Sequence, residues 1–262
     1  MARPGATDGG ETAERPAADR GEAAEPPTAD SGSGAAPVDA ARGFLRAVRT
    51  DGAADAARDR LDALSPTALD ALSPAERLAF WINVYNGATG DALLGDPTRL
   101  SDRRRFFGAP VVSVAGTDLS LDEIEHGILR RSRWKYGLGY LPNPFPSAFV
   151  RRHRVAEPDP RIHFAVNCGA AACPAVFAYD PATVDEQLDH ATETYLRGET
   201  VVADGTARVP RLMLWYRGDF GGTSGIREWL RRYGVIDADA TPRIRYREYD
   251  WTPSLDPFRG RD

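Results

Sequence analysis

Apolar positions fall into a helical rhythm from Val38, where Phe44, Leu45 and Val48 are spaced for one face, and a second short helix is expected around Ala54 to Leu64. Ser73-Pro74-Ala75-Glu76 reads as a capping box with proline at the first helical position, opening a helix to about Leu94. Val111 to Val114 has the look of a short strand ending at Gly116. A second capping box, Ser120-Leu121-Asp122-Glu123, opens a helix to about Arg131 with Ile124, Ile128 and Leu129 as its apolar face. Ile162, Phe164 and Val166 alternate with His163, Ala165 and Asn167, the period of a half-buried strand. Asp180-Pro181 then opens a helix to about Leu196, and Val201 to Val209 is a hairpin about Asp204-Gly205. A helix from about Thr223 to Tyr233 with Gly234 as its cap, and a strand from Ile244 to Trp251, close the chain. Runs of helix around short strands predict an α+β fold, with helices packed around a small, mainly antiparallel sheet; a cysteine-peptidase-like arrangement is its closer form.

Composition separates the first 37 residues from the rest. They hold no aromatic residue and almost nothing branched and apolar, so they are expected to form a disordered acidic tail ahead of a single domain over 38–262. Residues 1–40 carry eight acids against three arginines, which is the whole net charge of −5, and the body beyond them is neutral. A neutral body argues against general nucleic-acid binding. No apolar run reaches the length of a membrane span, and Met1 to Gly10 lacks the cationic and apolar regions of a secretory signal. Two cysteines suit a reducing, cytoplasmic setting better than a disulfide scaffold.

Three segments concentrate chemistry. In the first helix of the pair above, Asn83, Asn86, Gly87 and Gly90 share a face. The two amides could orient a reacting group, or satisfy buried backbone where a loop crosses; buried amides more often do the latter. The second segment is Asp122-Glu123-Ile-Glu125-His126. Asp122 and Glu123 read as capping and helix-dipole residues, whereas Glu125 and His126 remain candidates for acid, base or orienting roles. The third runs from His163 and Asn167 through a loop of small residues to Cys168, Cys173 and Pro174. Pro174 suits a first helical position, which would leave Cys173 at a helix N-terminus where amides lower a thiol's pKa. Inert buried thiols, a Cys168–Cys173 redox pair, metal ligation with His163 or His126, and a nucleophile at Cys173 or Cys168 all compete. Four intervening residues depart from the two-residue spacing usual for redox and zinc pairs. Between Gly127 and Ala156 there is no acid, and Arg130, Arg131, Arg133, Lys135, Arg151, Arg152 and Arg154 lie among aromatic residues, so a basic rim is expected there.

Taken in order, Ala79-Phe-Trp-Ile-Asn-Val-Tyr-Asn86, Leu119-Ser-Leu-Asp-Glu-Ile-Glu-His-Gly-Ile-Leu-Arg130 and Asp159-Pro-Arg-Ile-His-Phe-Ala-Val-Asn-Cys-Gly-Ala170, closing with Cys173-Pro174, resemble the family called domain of unknown function 547. The likeness continues through Trp215-Tyr216 and Asp219-Phe220 to Tyr249-Asp250-Trp251. What it implies is a widespread module, alone in prokaryotes and joined to coiled-coil or glutaredoxin-like segments in eukaryotes, with no assigned reaction. Ala172 stands where the family usually has serine, and Trp251-Thr-Pro replaces the usual serine, leucine and asparagine. On the residues themselves, the leading expectation is a thiol-dependent hydrolase or acyl-transferase-like enzyme. In it Cys173 attacks a carbonyl, His163 takes the thiol proton, Glu125, Asn83 or Asn86 orients the ring, and loop amides hold the oxyanion. The alternative is a non-catalytic binding or scaffold module whose polar cleft and basic rim take a peptide or small-molecule ligand, anionic in character. A metal hydrolase forms a third class. No motif calls for a cofactor, and none commits the chain to a metal.

Overall fold

Ser73 accepts a hydrogen bond from the Glu76 amide while Glu76 reaches back to the Ser73 amide, and Pro74 occupies the first turn. That reciprocal cap starts the central helix of the fold. The computed structural model of the protein describes residues 35–50 and 54–260. Within them α1 (Ala35–Arg49), α2 (Ala54–Asp62) and α3 (Pro66–Asp70) lead to α4 (Pro74–Gly95), which is buried on every side from Ala79 to Gly90. A helix apolar around its circumference belongs inside a core. Gly87 permits a close crossing with α1, because a Cβ there would lie 2.6 Å from the Phe44 ring. The expected acidic tail lies outside the described residues up to position 34, and α1 takes up residues 35–37.

After α5 (Arg103–Gly108), β1 (Pro110–Val114) pairs antiparallel with β2 (Thr117–Ser120). The Ser120–Glu123 capping box forms as expected, with Ser120 N to Glu123 Oε2 at 3.0 Å and Glu123 N to Ser120 Oγ at 3.2 Å. The helix it opens is a π-helix (Glu123–Leu129) rather than an α-helix, and Arg130 N and Ser132 N bond to carbonyls five residues back. Such wide turns recur at functional sites because they re-aim side chains.

α6 (Ala148–His153) precedes the main departure from expectation. Residues 160–164 form a 3₁₀ turn, not a strand. Asp159 accepts from the Arg161 amide and Pro160 fills the first helical position, so a local cap overrides the alternating pattern. Residues 174–180 contain no helix, and Cys173 therefore does not sit at a helix N-terminus; the next helix is α7 (Val184–Glu199). β3 (Val201–Ala203) and β4 (Thr206–Val209) make the hairpin about Asp204-Gly205. α8 (Leu212–Trp215) and α9 (Gly222–Arg232) follow, and β5 (Arg243–Tyr246) pairs parallel with β4. The fold is α+β with two small sheets, antiparallel in two of its three strand pairings. β5 stops at Tyr246, short of Trp251, and the chain beyond it turns back toward the thiol loop. No helix among the described residues is long and apolar enough to cross a membrane.

Candidate active site: a cavity with two thiols

Cys168 and Cys173 are brought together by a loop that the rest of the chain pins in place. Asn86 of α4 bonds through its amide to Ala165 O and Asn167 N, both at 2.9 Å. Asn167 in turn bonds to Pro174 O at 2.5 Å and Gly169 N at 2.7 Å. Gly169 has φ +88°, a conformation that favours glycine. Ala171 N and Ala172 N bond to the carbonyls of Thr252 and Asp250. The sulfurs face each other at 2.7 Å, so the four-residue spacing that argued against a pair is overcome by the turn.

Cys173 Sγ receives the Cys168 amide at 3.0 Å and the Tyr249 hydroxyl at 3.0 Å; the same hydroxyl lies 3.3 Å from Cys168 Sγ. Burial pushes the Cys173 thiol up, but the Cys168 thiol, Tyr249 and backbone amides favour its thiolate more strongly and hold it below the usual thiol value. The hydrogen bond with Cys173, followed by burial, drives Cys168 well above that value. Burial also raises Tyr249, with the neighbouring sulfurs adding to it, so its hydroxyl stays a donor.

The thiols open onto a cavity of about 370 Å³ that also takes in Glu125, His126 and His163, between apolar walls such as Phe107, Trp215 and Trp251. His163 does not bond to either thiol. Its Nε2 lies 2.9 Å from Asp219 Oδ2, which also accepts from Arg130 Nε at 2.7 Å, and its ring stacks on Tyr216 at 3.8 Å. Burial opposes the Asp219 charge, yet His163 and Arg130 bring its pKa down to about 2. Burial, reinforced by Arg130, lowers the His163 pKa although Asp219 works the other way. An ionised carboxylate only accepts, so Nε2 carries the proton and Nδ1 is left as a bare acceptor, buried and with no partner among the described residues.

Glu125 is held by two tyrosine hydroxyls, Tyr216 at 2.6 Å and Tyr85 at 3.2 Å. Burial raises its pKa, but His126, His163, the Tyr216 bond and Arg130 bring it net below the usual value. It braces Tyr216, on which His163 stacks, and the residue bonded to His163 is Asp219. His126 Nδ1 lies 3.0 Å from Arg130 Nη1, a group that can only donate, and burial lowers its pKa.

Several expectations change here. Asn83 and Asn86 do not reach the cavity chemistry: Asn83 bonds to Tyr179 O at 2.8 Å and Tyr179 N at 2.9 Å, and Asn86 holds the thiol loop as above. Neither therefore orients His163. The loop amides of Gly169, Ala171, Ala172 and Cys173 are engaged in other bonds, which removes them as oxyanion donors. Asp122 is more than a helix-terminal acid, since it lines the cavity and pairs with Lys135. Arg130 is not on a rim; it is 1% exposed and paired with Asp219, while Lys135 and Arg152 are compensated by Asp122 and Asp70. Among the described residues, no group of three or more histidine, cysteine, aspartate or glutamate side chains is placed to hold a metal ion. Asp219, Tyr249 and Tyr216 are the neighbours of the candidate residues that pattern reading missed; they occur only within the motifs Trp215-Tyr216, Asp219-Phe220 and Tyr249-Asp250-Trp251.

One cavity thus gathers the paired thiols, the buried Glu125 and His163, whose ring is bonded to Asp219. Residues 69–196 match the model of the family described as protein of unknown function, DUF547. The match contains both thiols, His163, Glu125 and the two asparagines, and ends before Tyr216, Asp219 and Tyr249. No curated protein and no solved structure matches the chain.

Proposed function

We propose that the cavity carries thiol-dependent acyl transfer or hydrolysis, with Cys173 as nucleophile. The observation that carries this reading is the convergence of the Cys168 amide and the Tyr249 hydroxyl on Cys173 Sγ, in a cavity shared with an unpartnered His163 Nδ1. Cys173 sulfur attacks a carbonyl carbon, and His163 Nδ1 takes the thiol proton and returns it to the leaving group. Asp219 fixes the tautomer that makes this possible, the role the sequence had offered to Glu125, Asn83 or Asn86. Tyr249 follows the charge from sulfur toward the developing oxyanion. Walls of Phe107, Trp215 and Trp251 suit a carbonyl substrate with an apolar or aromatic acyl group.

Turnover of a panel of aryl esters and thioesters tests this. Wild-type protein is expected to turn over at least one member, Cys173→Ala none, and His163→Ala markedly less. A panel that goes unturned, or turnover unchanged by Cys173→Ala, overturns the proposal and leaves the binding module as the reading.

A further inference from the structure

Beyond its hydrogen bond to the nucleophile, the Cys168 thiol has no step of its own in the chemistry just proposed. Its sulfur lies 2.7 Å from Cys173 Sγ, against about 2.05 Å for a disulfide bond. The loop that carries both sulfurs is held from outside. Ala170 bridges to Pro253, Ser254 N bonds to Gly169 O at 2.8 Å, and Tyr195 OH bonds to Ala172 O at 2.7 Å. The arrangement keeps two sulfurs facing each other without a covalent link between them. It also places both on the wall of a cavity large enough to admit a small molecule.

We infer that Cys168 and Cys173 are a reversible dithiol–disulfide pair, in which Cys173 attacks a low-molecular-weight disulfide entering the cavity and Cys168 resolves the product. The inference deepens the reading of Cys173 as nucleophile and rests on it. In the first step the Cys173 thiolate bonds to one sulfur of the incoming disulfide, whose S–S bond breaks and releases one thiolate. In the second, Cys168 loses its proton and attacks the Cys173 sulfur, breaking the mixed disulfide and releasing the second thiolate. The protons from the two cysteines go to the two departing thiolates. The protein pair is oxidised by two electrons and the small disulfide is reduced to two thiols. Oxidation consumes the nucleophile, so acyl transfer stops until a thiol reductant restores the pair.

Attack by Cys173 first follows from the donors: the Cys168 amide and Tyr249 hydroxyl favour its thiolate, while the Cys168 thiol is the donor in the pair. The departing group leaves Cys173 on the cavity side. Cys168 then needs only to approach a sulfur already beside it.

The test treats reduced full-length protein with oxidised glutathione and reads intact mass and peptide map. Wild type is expected to lose two hydrogens through a Cys168–Cys173 disulfide, with two glutathione thiols released, and to recover on reduction. Cys168→Ser is expected to stop with glutathione on Cys173, and Cys173→Ser to remain largely unmodified. Wild type that stays unmodified, or stops at a stable glutathione adduct, overturns the inference. So does modification of Cys173→Ser as fast as of Cys168→Ser. Ester turnover measured in the same samples separates the two proposals. Turnover that needs Cys173 but survives glutathione treatment with no disulfide formed sinks the redox pair alone. A disulfide that forms in protein without ester turnover sinks the acyl-transfer reading alone.

Discussion

The face of α4 that carries Asn83 and Asn86, and the cavity wall that carries His163 and Cys173, are both polar surfaces inside the protein, but they use their polar atoms differently. Each asparagine side chain donates to one backbone carbonyl and accepts from one backbone amide. Around the cavity, His163 Nδ1 and Arg130 Nη2 are buried with no partner among the described residues, and two sulfurs compete for one tyrosine hydroxyl. Buried polar atoms with complete partners specify structure, whereas an acceptor left bare in a residue that lines the same cavity as the thiols is available for chemistry. Residue type alone does not separate the two; the separation comes from where each hydrogen bond goes.

That contrast can be broken most forcefully by substitution. Replacing Asn83 with leucine leaves the Tyr179 amide and carbonyl unpaired, at about 1–3 kcal/mol each, so a denaturant midpoint should fall by the equivalent of about 2–6 kcal/mol. Thiol labelling of the folded fraction should stay unchanged. Cys173→Ala is the reverse case, with turnover lost and the midpoint shifted by about 1 kcal/mol or less. A Cys173→Ala protein as destabilised as Asn83→Leu would make the thiol a packing residue.

Acid sharpens the same contrast at a smaller scale. Asp219 falls from 3.8 to about 2 on folding, which contributes about 2 kcal/mol above the unfolded value. This stability is present at neutral pH and lost as pH falls from about 4 through 2. His163 and His126 are both depressed by burial, so a milder loss begins below about pH 6.5 as the unfolded chain takes up protons the folded one refuses. A pH series of chemical denaturation on wild type and Asp219→Asn checks this, and the acid limb should be shallower in the variant, with the remaining loss coming from other depressed carboxylates such as Glu125. Identical limbs would detach Asp219 from the network.

The smallest effect belongs to the chain's start. Deleting residues 1–34, whose composition cannot support a core, should leave the melting temperature within about a degree. A drop of many degrees would show that they dock.

Local signals made much of the fold legible. Ser73 with Glu76, Ser120 with Glu123, and Asp204-Gly205 each act over a few residues, and each forms as its spacing implies. At 159–164 two local signals conflicted: alternation suggested a strand, but Asp159 and Pro160 cap a 3₁₀ turn, and His163 is buried along with its apolar neighbours. The site was legible in its thiols, His163 and Glu125, and not in what surrounds them. Asp219 lies 56 residues from His163, and Tyr249 lies 81 from Cys168. No period or spacing links residues so far apart. The Cys168–Cys173 approach was hidden for a related reason, since it depends on a turn at Gly169 and on carbonyls of residues 250 and 252. What lowers the Cys173 thiol is a set of side-chain and amide donors, not the helix terminus that Pro174 suggested.

Iodoacetamide labelling of native, reduced protein across pH, with peptide mapping, tests the central claim most directly. Cys173 should label with a midpoint below the free-thiol value of about 8.5, and Cys168 should resist labelling through that range. Equal, slow labelling of both cysteines with midpoints near 8.5, or faster labelling of Cys168, would contradict it.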